Sequence, residues 1–237
     1  MASTLRHVTF KNSHIDIAGD LRLPSDFSEV DKSHAALVLV TPGSSVKEQA
    51  GGIYAQRMVD KGFVTLVFDP SYQGQSGGEP RDLEDPWART EDVRCAVDYL
   101  MTLKFVDEDR IGVLGICAGG GYAVNAALTE HRIKAVGTVV AVNIGRANRQ
   151  NEASPDTGFQ MLAAVGKQRT IEARGGAQHR VNWIPDSPEA AREAGIDDRD
   201  TLEAVDFYRT SRGYNKHSTN RMYFRSIAPM LGFDAFQ

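Results

Sequence analysis

Three apolar runs constrain this chain more than any other feature: Ala35 to Val40, Phe63 to Phe68 and Arg110 to Ile116. Each is apolar at odd and even positions alike, so a strand built from it needs cover on both faces, as in a sheet layered between helices. Helical stretches separate the runs. Gln49 to Asp60 links the first to the second. Asp85 reads as an N-cap with Pro86 at the first helical position, and Val93, Ala96, Val97 and Leu100 recur at helical spacing, up to about Phe105. The small-residue stretch Ala118 to Leu128 follows the third run, and Ile133 to Val142 reads as a fourth buried strand. Alternation at this pace predicts right-handed βαβ units and one mostly parallel sheet with helices on both faces. Ahead of them, Val8 and Phe10, Ile15 and Ile17, then Leu21 and Leu23 alternate about a turn at Asn12-Ser13, the period of an antiparallel hairpin.

The length, 237 residues, suits one α/β unit. Apolar residues at 41% and charged residues at 24% exclude a disordered chain. With 27 basic and 31 acidic residues, a formal charge of -4 and no basic run, nucleic acid is excluded as a partner. The longest aliphatic run, Ala35 to Val40, is far short of the about 20 residues of a membrane helix. Met1 to Arg6 lacks the apolar core of a secretory signal, and Cys95 and Cys117 are too few for a disulfide framework, so a cytoplasmic setting is expected. Past Gly145 the composition turns polar. Helix-like pieces appear at Phe159 to Lys167 and around Ala190 and Leu202, and Tyr223 to Ile227 is the only late strand candidate. The expected organisation is an α/β core over residues 1–145, then a cap-like helical insertion and C-terminal remnant over 146–237.

One short motif carries chemistry. Gly115-Ile116-Cys117-Ala118-Gly119 has the G-x-nucleophile-x-G form, a pattern expected by chance only about 0.02 times in such a chain. A strand runs straight into it and a helix straight out, which is the setting of a nucleophile elbow; the glycines allow a strained turn and tight helix packing. The helix N-terminus is expected to lower the Cys117 thiol pKa. A rival, Gly74-Gln75-Ser76-Gly77-Gly78, sits in a loop with no helix behind it, so Ser76 reads as a pocket residue. The loop Thr41 to Ser45 follows another buried strand. Its Gly43 and Ser44 N–H groups, with that of Ala118, are candidate oxyanion donors. Asp69, Tyr72 and Tyr122 are further pocket candidates, although Asp69 reads equally well as an Asx turn. No residue spacing suggests a metal site, and no glycine loop a nucleotide cofactor.

The elbow, Lys47-Glu48-Gln49 and the stretch Phe68 to Pro80 (FDPSYQGQSGGEP) resemble the α/β-hydrolase superfamily. Within it they are similar to the dienelactone-hydrolase-like group that includes polyketide acyltransferases. The resemblance implies a nucleophile, an acid and a histidine base, with Cys117 at the nucleophile position. The acid and histidine follow late strands in that family, and no two buried runs occur after Asn143, so those strands are expected to be missing here. His179 and His217, in the polar insertion, are then the candidate bases. The implied activity is a hydrolase or acyltransferase acting on a small-molecule ester or thioester, with no cofactor. The alternative is a catalytically impaired, truncated relative that binds or scaffolds. An uncovered sheet edge would also favour a homodimer.

Overall fold

The computed structural model describes residues 3–30, 34–150 and 155–237; Met1 and Ala2, part of the leader reading above, lie outside the described residues. The expected hairpin forms from β1 (Thr4–Asn12) and β2 (Ile15–Leu23), with Phe10 opposite Ile17 and Ser13 at φ 54° in the turn. β2 lies antiparallel on β4 (Val64–Phe68). From there β3 (His34–Val40), β5 (Val106–Ile116) and β6 (Ile133–Val139) continue the sheet in parallel, in the order β1-β2-β4-β3-β5-β6.

Alternate residues of the central strands part company, as doubly covered strands require. Val38, Val40, Leu66, Phe68, Ile111 and Val113 enter one large cluster with residues of α2 (Pro86–Met101) and α3 (Ala118–Ala127). Leu39 and Val67 face the other way, onto Ala55 of α1 (Ala50–Val59). The predicted stripe Val93, Ala96, Val97 and Leu100 is completely buried, and Asp85 caps α2 by accepting from the Trp87 and Ala88 N–H groups. Truncating a side chain this enclosed, such as Leu100, costs about 2–5 kcal/mol.

β6 departs from expectation. Ala135 to Thr138 are exposed, with Val136 at 41% and Val140 just beyond the strand at 77%. Its sequence is as apolar as that of β5, but β6 pairs with β5 on one side and with no described strand on the other.

After β6 come α4 (Ile144–Gln150), α5 (Pro155–Ala173), β7 (Arg180–Asn182), α6 (Pro188–Glu193), α7 (Arg199–Arg209), β8 (Arg221–Tyr223) and α8 (Ile227–Gly232). The late strand expected over Tyr223 to Ile227 is only its first residue; Phe224–Ser226 turns into a 3-10 helix, where the Ser226 hydroxyl accepts from the Glu84 N–H at 2.9 Å. β7 and β8 pair with each other and not with the main sheet. The chain's last stretch returns to the core. Met222, Met230, Phe233 and Ala235 join the large cluster, and Gly145 lies so close to Phe233 that a Cβ there would sit 1.8 Å from its carbonyl oxygen.

Candidate active site

The turn at Cys117 has the strain its glycines anticipate. Cys117 stands at φ 55°, ψ -124° directly between β5 and α3. A Cβ on Gly115 would lie 2.3 Å from the Gly119 oxygen, and one on Gly119 would lie 2.3 Å from the Val40 oxygen, so only hydrogen fits at either place. A left-handed non-glycine residue costs about 1–3 kcal/mol. The surrounding bonds hold it there: the Cys117 N–H donates to Val139 at 3.0 Å, and its carbonyl accepts from Gly120 and Val142, each at 2.9 Å. The elbow is thereby tied to β6 as well as to α3.

Electrostatics correct one sequence expectation. Burial pushes the Cys117 thiol above its ordinary pKa; the Ala118 N–H and Arg89 pull the other way, and Glu84 adds to the rise. The helix terminus favours the thiolate, but the half-enclosed sulfur loses more hydration than one N–H and a nearby guanidinium return.

Glu84 and Arg89 belong to a buried polar layer beneath the elbow, at 1% and 2% exposure. The Glu84 carboxylate accepts from Tyr122 Oη and Gln73 Nε2, both at 2.7 Å, and lies 3.5 Å from Arg89 Nε. Arg89 stacks over the Tyr122 ring at 5.0 Å and donates to the Thr41 carbonyl at 2.5 Å. Arg89 thus grips the start of the Thr41 to Gln49 loop from inside.

Four of that loop's N–H groups are paired. Ser45 donates to Pro42, Val46 to Gln49 Oε1, Lys47 to Asp69 and Gln49 to Val46. Gly43 and Ser44 have no acceptor among the described residues. Ser44 is itself left-handed at φ 57°. The 146–237 segment closes over the loop: the Trp183 ring sits where a Gly43 Cβ would be, 2.5 Å from Cζ2, and Gln49 Nε2 donates to Gly213 at 2.8 Å. Tyr208 of α7 hydrogen-bonds Ser45, and burial holds its hydroxyl pKa up at about 12.

The other candidates settle elsewhere. Asp69 is completely buried, accepting from the Lys47 and Gln75 N–H groups and from Lys47 Nζ at 3.1 Å, so it ties its own loop to Lys47; its donors lie six residues on and 22 back, not two on as in an Asx turn. Ser76 is buried too, donating to the Asp69 carbonyl at 2.6 Å and accepting from the Ala18 N–H at 2.9 Å. Tyr122 lies inside the polar layer. Tyr72, at φ 72°, is half-buried with its ring against Gly78. Of these four, Tyr122 is acted on by Cys117, which helps to hold its hydroxyl pKa up. His179 packs edge-on to Phe224 at 5.1 Å, and the His217 backbone bonds Asn215; neither imidazole is among the groups acting on Cys117. Cys95 is buried, its thiol raised to about 11, and both cysteines are free. Sequence reasoning missed Glu84, Arg89, Tyr208, Ser218 and Asn220, none of which belongs to a motif.

Two cavities differ in their relation to the elbow. One of about 380 Å³ is lined by Ile144, Ala147, Trp183, Met222 and Met230, and Trp183 connects it to Gly43. A wider cleft of about 810 Å³ between α5 and Glu79-Pro80 shares no residue with the surroundings of Cys117. No group of three metal-ligating side chains occurs among the described residues, and no described helix is long and apolar enough to cross a membrane.

A strained residue between a parallel strand and a helix is the strand-turn-helix geometry on which α/β hydrolases are built. Comparison with known proteins bears on the family. Residues 53–143 match the prolyl oligopeptidase family model. Protein YcjY of Escherichia coli (strain K12) is 39% identical over 235 residues, covering 97% of this chain and 75% of the relative. The crystal structure of PA2218 from Pseudomonas aeruginosa superposes with a TM-score of 0.88 at 33% identity, over 98% of this chain and 72% of that one. A thiohydrolase of Eupenicillium brefeldianum is 26% identical over 203 residues, 83% of this chain and 63% of the relative. The chain spans only 57% of the length of the full PA2218 sequence. It belongs to the α/β-hydrolase superfamily and is an enzyme of the hydrolase type.

Proposed function

We propose that the protein forms an acyl-enzyme on Cys117 from a small-molecule ester or thioester. The turn at Cys117 is read as a nucleophile elbow, with the sulfur as attacking atom and the N–H groups of Ala118, Gly43 and Ser44 as the oxyanion hole. The single observation that carries this reading is the left-handed Cys117, locked between Gly115 and Gly119, with unpaired donors on the neighbouring loop. The acyl chain lies along Trp183 in the cavity toward Met222 and Met230. Attack by the sulfur breaks the substrate's acyl–oxygen or acyl–sulfur bond and expels its alcohol or thiol, which takes up the proton given up by Cys117. Water or an acceptor alcohol then resolves the thioester, releasing acid or ester and returning a proton to the sulfur. The thiophilic substrate class also fits the name of the fungal thiohydrolase relative.

A raised thiol pKa requires a base for the sulfur's proton. His217 is the stronger of the two candidates, because it adjoins Ser218, which touches the Gly43 to Ser45 loop; His179 sits against Phe224. Tyr208, protonated up to about 12, can donate a proton but not take one at neutral pH. Residues 1–145 supply the nucleophile and 146–237 the cap over it. Two free thiols suit a cytoplasmic setting.

The test is hydrolysis of p-nitrophenyl butyrate and of a butyryl thioester by wild type and Cys117→Ala. Loss of at least about 1,000-fold in kcat is expected, and equal rates sink the proposal. The alternative, an impaired relative that only binds, has on its side the lack of an imidazole acting on Cys117. A burst of product in the first turnover excludes it.

A further inference from the structure

The Ser44 carbonyl is held from 174 residues away. Ser218 Oγ donates to it at 2.9 Å and Asn220 Nδ2 at 3.4 Å. Asn220 is 3% exposed and left-handed at φ 48°, and its own carbonyl accepts the Trp183 N–H at 2.9 Å. One buried residue therefore both grips Ser44 and seats the indole against Gly43.

These bonds bear directly on the loop's free donors. A peptide unit is planar, so fixing the Ser44 oxygen fixes the direction of the Ser45 N–H in the same unit, here toward Pro42. Ser44's φ of 57° then sets where its own N–H points relative to that unit. A serine has no intrinsic preference for this region, and without outside bonds the backbone relaxes toward negative φ, turning the Ser44 N–H away. Arg89 holds the Thr41 carbonyl from inside, and Ser218 and Asn220 hold the Ser44 carbonyl from outside. Between those two grips lie the two N–H groups with no acceptor among the described residues, those of Gly43 and Ser44.

We propose that Ser218 and Asn220 are positioning residues: by clasping the Ser44 carbonyl they keep the Gly43 and Ser44 N–H groups in the orientation that receives an oxyanion. This rests on the acyl-enzyme reading above. Neither side chain touches substrate; each acts through the loop.

The variants are Ser218→Ala and Asn220→Gly, the glycine chosen because it tolerates the left-handed backbone while removing the side chain that carries the amide. With p-nitrophenyl butyrate the double variant is expected to lose about 10- to 100-fold in kcat, with KM within about twofold, because the donors act on charge that develops only in the transition state. Alkylation of Cys117 by iodoacetamide, which displaces iodide and develops no oxyanion, is expected to keep its wild-type rate. Ser218→Thr retains the hydroxyl and is expected to restore kcat in the single-site series. An unchanged kcat in a variant whose activity still depends on Cys117 overturns the clasp and leaves the acyl-enzyme reading standing. So does a parallel fall in kcat and alkylation, which marks a general loosening of the elbow. Full activity in Cys117→Ala instead overturns the acyl-enzyme reading, and the clasp with it. Should the double variant fail to fold, Ser218→Ala alone decides, with an expected loss of about 3- to 10-fold in kcat and overturn at no loss.

Discussion

β5 and β6 lie side by side, have similar apolar composition and meet opposite fates. Ile111 and Val113 of β5 are buried, whereas Val136 of β6 is 41% exposed and Val140 beyond it 77%. β5 has β3 on one flank and β6 on the other; β6 has only β5 among the described strands. An apolar run states a demand for cover, and neighbours decide whether the demand is met. The difference reaches the site, because the Cys117 N–H is bonded to Val139 and its carbonyl to Val142. The nucleophile candidate thus hangs between the buried C-terminal half of β5 and the exposed edge strand β6.

The sharpest way to break the covered side is Gly119→Val. Its Cβ would meet the Val40 oxygen at 2.3 Å and the Thr41 oxygen at 2.6 Å, backbone atoms that cannot step aside. Activity is expected to vanish, and urea unfolding to show a loss of about 3 kcal/mol or more. Wild-type stability there means that β3 and α3 are not packed as described. Arg89→Met comes next in size, since it leaves the Glu84 carboxylate buried without its cation and frees the Thr41 carbonyl. A destabilisation of about 3 kcal/mol is expected, with Arg89→Lys intermediate; equal stability of Met and wild type removes any role for the pair.

The uncovered side is probed by Val136→Lys with Val140→Lys. If a second copy covers β6, wild type sediments as a dimer and the variant as a monomer of unchanged kcat. A wild type that is already monomeric ends the homodimer proposal. A smaller effect is expected in pH dependence. Burial raises the Cys117 pKa, so the thiolate fraction, and with it the iodoacetamide rate, should reach half its maximum at a pH above about 8.5, the midpoint of a free cysteine. A plateau below neutral pH contradicts this and reveals a cation at the sulfur in solution. Cys95→Ala should change least: kcat unaltered, and the labelled thiol still Cys117, because Cys95 is buried with its pKa at about 11.

Much of the core was readable because its rules are local. The pairing of Phe10 with Ile17, the Asp85 cap, the Val93 to Leu100 stripe and the glycines about Cys117 each follow from spacing within one or two turns of chain. Of the candidate site, the strained turn at Cys117 was legible, because the glycines that permit it flank it directly. Asp69 and Ser76 stood out by motif yet are loop supports, because the same turn that displays them consumes their polar atoms. Glu84, Arg89, Ser218 and Asn220 carry no motif. Their partners, Tyr122, Thr41 and Ser44, lie 38 to 176 residues away, and no local pattern encodes such a contact.

By itself the sequence determined the parallel α/β frame and the strained cysteine between strand and helix, since periodicity and steric room at a turn depend on adjacent residues. Only the tertiary structure decided three things: that β6 is an edge, that the thiol is held up and not down in pKa, and that a distant serine and asparagine fasten the loop beside it. The reason is common to all three. Burial, desolvation and long-range hydrogen bonding are set by what surrounds a residue in space, which the chain acquires only when it folds.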